Sequence, residues 1–280
     1  MKKSIVLFLM LQTSLLSIGA GYYGNENDKE KNRYDDDKRF FIRGYAGAQG
    51  KISLIFPVDL TNYTQDFYDH LLDQFENYGY FPETRMIPPL YSGYGYTLKA
   101  GIRLFNVFQV EPWWEMYKSF PLRITMNATY HDYYTGYSSE IDMNYKFRPD
   151  YDALGASILF VPGSATDPVF FTIGGGIGSY IGRVSIEADG SETINGIKTP
   201  IYSYEEYEGK AIGYHGTIGV TYVPWKYLEL ETLLTGRYAR IDELNDQYGH
   251  TLINEYDDYE PVSVQFSGID FRFGLKFIFP

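Results

Sequence analysis

The chain has 280 residues and a formal net charge of −12 at pH 7. That balance argues against nucleic acid as a partner, because phosphate backbones need a basic surface. The absence of cysteine excludes disulfides, thiolate metal sites and a lipid-anchored cysteine.

The opening segment reads as a secretory signal peptide, residues 1–20. Met1-Lys2-Lys3-Ser4 is basic, Ile5–Leu11 is apolar, and small residues lead to a cleavage point after Ala20. Gln12-Thr13-Ser14 interrupts the apolar run and leaves it too short for a membrane anchor. Residues 21–38 are polar and charged, with almost no aliphatic side chain, and form a flexible periplasmic lead-in. No later segment has eighteen uninterrupted apolar residues, so no transmembrane helix is expected. The remainder, 39–280, reads as one domain. Its 29 tyrosines suit membrane interfaces, since each ring is apolar and its tip polar.

From residue 39 onward, period-2 alternation recurs. A first strand covers about Arg39 to Lys51, with Ile42, Gly44, Ala46 and Ala48 on one face and Arg43, Tyr45, Gly47 and Gln49 on the other. A long connection, 52–90, changes period: Phe67, Leu71, Leu72 and Phe75 predict an amphipathic helix over 64–79, capped by Thr64 and ended by Gly79. That helix either packs over its own loop, or serves a sharper role as a lid over the barrel mouth or a receptor contact. A second strand follows over 91–105 and a third over 108–117, the latter with an expected continuation through Arg123–His131. A Tyr- and Asp-rich connection precedes the fourth strand, Asp152–Val161. The fifth begins at Val169, with Phe171, Ile173, Ile177 and Ile181 outward. A loop over 188–209 leads to the sixth, with Ile212, Tyr214, Ile218, Val220 and Tyr222 outward. The seventh sets Leu228, Leu230 and Leu234 against Glu229, Glu231 and Arg237, and an acidic loop covers 241–261.

The eighth strand is the clearest. In Gly268–Phe279, the residues Ile269, Phe271, Phe273, Leu275, Phe277 and Phe279 alternate with Gly268, Asp270, Arg272, Gly274 and Lys276. Six large apolar residues on one face and a charged row behind them suit lipid on one side and a polar lumen on the other. With aromatics at alternate positions up to the C-terminus, Phe271, Phe273, Leu275, Phe277 and Phe279 resemble the C-terminal assembly signal of bacterial outer-membrane β-barrel proteins. Pro280 departs from that pattern, which usually ends on the aromatic itself.

Strand count, alternating long and short connections, Gly-rich strands such as Phe171–Gly178, and the end Gly274–Phe279 together make the chain resemble small eight-stranded outer-membrane β-barrels of the OmpA/OmpX/OmpW type. The resemblance implies an all-β fold, a transmembrane up-and-down antiparallel barrel with long external loops. It also implies location in a bacterial outer membrane, contact with outer-membrane lipids and lipopolysaccharide, and handling by the barrel assembly machinery.

An eight-stranded barrel is filled largely by its own side chains. Arg43, Lys99, Arg103, Glu111, Glu115, Glu229, Glu231, Arg237, Asp270, Arg272 and Lys276 fall in the inward series. Basic and acidic residues there nearly balance, which predicts an ion-pair network, since unpaired charges in a confined interior are costly. Neighbouring strands were the expected partners: Lys99 and Arg103 with Glu111 and Glu115, and Glu229, Glu231 and Arg237 with Asp270 and Arg272. The inward glycines leave room for water, so a thin conduit stays open as a second reading. Three functions follow in order: a structural or surface-interaction role; a narrow channel for ions or small solutes, hydrophobic ones included; and a lipid-modifying enzyme with its site at the rim. The last has little support. His70, His131, His215 and His250 have no serine in a recognisable spacing, no catalytic or metal site is assigned, and no cofactor is expected.

Overall fold

The computed structural model describes residues 42–86, 91–105, 107–162, 168–225, 227–256 and 259–279. The expected signal peptide and lead-in lie outside them. Twelve strands and one helix follow in chain order: β1 (Ile42–Ile55), α1 (Val58–Asn77), β2 (Phe81–Met86), β3 (Tyr91–Leu104), β4 (Phe108–Ser119), β5 (Leu122–His131), β6 (Ser138–Phe160), β7 (Val169–Ile194), β8 (Ile197–Trp225), β9 (Leu228–Tyr238), β10 (Arg240–Ile241), β11 (Val264–Gln265) and β12 (Gly268–Phe279).

Antiparallel pairing closes a ring of eight in the order β1, β3, β4, β6, β7, β8, β9 and β12, with β12 returning to β1. Closure leaves no edge within the ring, so the wall's backbone groups pair within it apart from local breaks at Pro112 and at the bulge near Tyr222. The outward residues are large and apolar: Phe171, Ile177, Ile212, Phe271, Phe273 and Phe277 are among many exposed around the wall. A continuous apolar surface of that size is rare on soluble monomers, and a tilted strand of about ten residues crosses the hydrocarbon of a bilayer. The chain is thus an all-β, eight-stranded transmembrane barrel. None of the described helices is long and apolar enough to cross a membrane.

The barrel is lopsided at one end. β1, β9 and β12 stop at the rim, whereas β6, β7 and β8 run 23, 26 and 29 residues. β5 continues β4 upward along β6 after a one-residue register shift at Phe120-Pro121, from Tyr117↔Tyr151 to Leu122↔Phe147. β2 stands above β3 and pairs β5. One side of the wall therefore carries on as a five-stranded sheet in the order β2, β5, β6, β7, β8. The expected continuation of the third strand through His131 is present.

Several boundaries need correction. The first strand runs on to Ile55, past the expected end at Lys51. The helix begins at Val58, six residues before Thr64, which lies inside it and donates to Thr61 O at 2.8 Å. β6 starts fourteen residues before Asp152, inside the supposed second connection. The loop expected over 188–209 is a hairpin. β7 and β8 pair from Ile194↔Ile197 downward, joined by Asn195 and Gly196 at φ of 48° and 83°. An Asn-Gly pair is the strongest signal for a two-residue hairpin turn. It was missed because the flanking residues are polar on both faces, as a strand standing in water can be.

Gly196 has open space around its α-carbon, so a side chain there is opposed by backbone conformation alone. Gly196→Val is expected to cost the tip about 1–2 kcal/mol. Hydrogen exchange should accelerate at amides near Ile194 and Ile197 while the unfolding midpoint of the barrel stays in place; a shifted midpoint would contradict a locally coupled tip.

Candidate functional site: the barrel lumen and its external lid

Of the eleven charged residues read as inward, Arg43 is half-buried and the other ten are buried in the lumen. They form two storeys. In the outer one, Glu115 accepts from Lys51 Nζ at 2.6 Å and from Arg272 Nη1 at 2.9 Å, with Arg237 Nη1 at 3.4 Å. Asp270 Oδ2 lies 2.7 Å from both Arg237 Nη1 and Arg272 Nη2. Tyr151 OH receives a hydrogen bond from Lys51 Nζ at 2.5 Å and donates to Glu115 at 2.7 Å. Arg237 and Lys51 also face the Tyr151 ring at 4.8 and 4.7 Å, a cation–π arrangement. In the inner storey, Glu231 lies 2.7 Å from Lys99 and 2.8 Å from Lys276, and Arg103 lies 2.8 Å from Glu229. Tyr45 OH donates to Glu111 at 2.8 Å, and Lys99 stands 3.6 Å from the same carboxylate.

The pairing crosses the lumen more than it follows neighbouring strands. Arg103 on β3 meets Glu229 on β9, and Glu115 on β4 meets Arg272 on β12. Of the adjacent-strand expectations, Lys99 with Glu111 and Arg237 with Asp270 are both present. Long side chains in a narrow barrel reach the far wall, and the strand order cannot show that reach. Lys51, Tyr151, Gln49 and Gln109 belong to the same network and were not singled out. Parity would have found two of them: Lys51 continues the series Tyr45, Gly47, Gln49, and Tyr151 precedes Ala153 and Gly155 in phase.

Side chains from other strands stand close to several inward glycines. A Cβ on Gly95 would stand 2.7 Å from Lys51 Cε, one on Gly101 would stand 2.7 Å from Tyr45 Cζ, and one on Gly178 would stand 2.5 Å from Trp113 Cη2. Each glycine is the recess that receives a large side chain from another strand. Tyr117, Tyr151 and Phe266 form a buried aromatic layer at and above the outer storey, with Tyr180 level with Glu115 and Trp113 one step inward of it on β4.

Helix α1 closes the top. Leu60 and Tyr63 join this buried cluster, and Phe67 packs edge-on against Tyr145, Phe147 and Tyr256 at 5.0, 5.5 and 5.8 Å. Three polar ties fix the helix to the segment between β9 and β12: Asn254 Nδ2 donates to Asp66 at 2.7 Å, the Ser263 hydroxyl donates to Asp59, and Arg240 Nη2 lies 3.5 Å from Asp59. Of the two roles weighed for the helix, the packing is that of a lid.

Of the histidines, His215 is inward, with Ser157 Oγ 3.1 Å from its Nε2 and Trp113 edge-on at 5.4 Å. Sequence spacing missed this serine because β6 and β8 bring it from 58 residues away. The pair lies inside the wall and away from the rim. Among the described residues no cluster of His, Cys, Asp and Glu is arranged to hold a metal.

No protein-family model matches the chain, and no curated protein matches it. Among solved structures it is similar to Neisserial surface protein A, with 12% identity over 84% of this chain and 96% of that one and a TM-score of 0.36. Ail, the attachment invasion locus protein of Yersinia pestis, shows 9% identity over 85% and 99%, with a TM-score of 0.40. The outer-membrane protein OprG from Pseudomonas aeruginosa shows 10% over 84% and 96%, with a TM-score of 0.35. The eight-stranded architecture itself rests on the strand pairing described above.

Proposed function

We propose that the chain is an integral outer-membrane barrel with a closed lumen, whose work is done by the sheet it holds outside the membrane. The observation that carries this reading is the free edge of β8. β9 pairs β8 only from Tyr214 downward, and among the described residues no strand covers that side between Ile197 and Tyr207. Glu208 exchanges hydrogen bonds with Asn245, at 2.8 and 2.9 Å, so its backbone points away from β7. Alternation gives Glu206, Tyr204, Tyr202, Pro200 and Lys198 the same direction. Pro200, which has no N–H, falls in that series and so costs the β7 ladder nothing.

An exposed edge is a template for strand addition. Along Ile197–Glu208 stand Glu205, Glu206 and Glu208 against Lys198 alone. The complementary partner is an extended, basic polypeptide segment. At about 3.3 Å per residue the eleven residues Ile197–Tyr207 offer an edge of about 35 Å. The terminal strand with Phe271, Phe273, Leu275, Phe277 and Phe279 outward serves membrane assembly in this reading, and lipopolysaccharide surrounds the lower part of the sheet.

Tyr202→Pro with Tyr204→Pro removes two edge donors and leaves the β7 ladder intact. A basic peptide of alternating lysine and valine should bind the refolded protein and lose at least about tenfold in affinity on the double variant. Absence of binding, or equal binding by the variant, would overturn the edge reading. In a planar bilayer, wild type and the Glu229→Ala/Glu231→Ala variant should both be silent. Steady ion-selective openings would restore the channel.

A further inference from the structure

A second feature of the protruding sheet lies at its far end, at the hairpin tips. Two adjoining clefts of about 810 and 420 Å³ meet at Tyr130 and Tyr137, between the end of α1 and the tips of the β5–β6 and β7–β8 hairpins. The floor is a run of rings. Phe75 and Tyr80 pack at 5.4 Å, Tyr80 and Tyr130 at 5.5 Å, and Tyr130 and Tyr137 at 6.0 Å. The rim carries Gln74, Asp132 and Asn195. The Thr135 hydroxyl and the Tyr134 N–H, both donating to Asp132, hold its carboxyl below the ordinary aspartate range, so it remains a charged acceptor.

We infer that this cleft binds a neutral oligosaccharide, with its aromatic floor under a sugar ring and its amide and carboxylate rim on the hydroxyls. A pyranose has an apolar C–H face and an edge of vicinal hydroxyls. It therefore needs a flat aromatic surface beside groups that both donate and accept. Each cleft alone has the volume of an ordinary small-ligand site. No Lys or Arg lines either cleft among the described residues, which disfavours phosphorylated or sulfated sugars. Successive rings are turned 87°, 43° and 59° from one another, so a sugar ring rests on one face at a time, and Tyr137 is the most exposed of the four.

The test uses the full refolded barrel, titrated with chitotetraose and maltohexaose, a sulfated heparin-type disaccharide and tetramethylammonium, with binding read by saturation-transfer NMR. At least one neutral oligosaccharide should bind at millimolar concentration. Tyr137→Ala should weaken it about tenfold or more, Gln74→Ala should weaken it less, and Tyr137→Phe, which keeps the ring, should retain most of it. Unchanged gel migration of the unheated variants shows that the barrel is intact. No binding by either neutral sugar, binding unaffected by Tyr137→Ala, or preference for the sulfated sugar or the cation would each overturn the proposal. Neither Gln74 nor Tyr137 lies on β8, and the peptide and the sugar are titrated separately, so either site can fail alone.

Discussion

Glu115→Ala should destabilise the barrel by about 3–5 kcal/mol, as expected when one partner of a buried ionic cluster is removed. Glu115 is within ion-pair distance of Lys51, Arg237 and Arg272, and Thr97 and Tyr151 donate hydroxyl hydrogen bonds to it. After truncation, those three cations share Asp270 alone, and two hydroxyls lose their acceptor. Glu115→Gln keeps an acceptor for Thr97 and Tyr151 and should cost less. Urea unfolding in detergent micelles measures both. A loss below about 1 kcal/mol for Glu115→Ala would mean that water reaches the storey and screens it, which would also weaken the closed-lumen reading.

The second large effect concerns volume. Trp113 fills the recess at Gly178 and is buried among Tyr180, His215 and the barrel wall. Gly178→Leu forces a side chain into that ring and should cost about 1–3 kcal/mol or more. Trp113→Ala opens a cavity and should cost about 3–5 kcal/mol. Combined, the two changes should cost less than their sum by more than about 1 kcal/mol, because the leucine occupies the space the indole vacates. Strict additivity would show that the two positions do not share space, and the account of the inward glycines would fail with it.

How much was legible in the sequence differs by region for a physical reason. Within the membrane each strand faces lipid on one side and a crowded lumen on the other, so the alternation in Gly268–Phe279 or Leu228–Tyr238 is sharp and the boundaries follow. Above the membrane both faces of β8 meet water over Ile197–Tyr204, the contrast vanishes, and a strand with residues such as Lys198, Thr199 and Ser203 reads as a loop. Only the turn chemistry of Asn195-Gly196 remained as a signal. In the lumen, parity identified which charges point inward, but the pairing of Arg103 with Glu229 depends on reach across the barrel. The lid was half legible: the period of Phe67, Leu71 and Phe75 marked a helix, while Leu60 and Tyr63, which seal the mouth, sit before the expected start.

The continuity of β6, β7 and β8 from the barrel wall into the outer sheet has a mechanical consequence. A pull applied at Asn195 runs parallel to the strands and loads their hydrogen-bond ladders in shear, many at once, with no hinge where a domain might peel away. Pulling a single molecule by its tip should therefore end in extraction of the barrel from the bilayer at high force. A low-force opening of the hairpin before extraction would show that the ladders do not share the load.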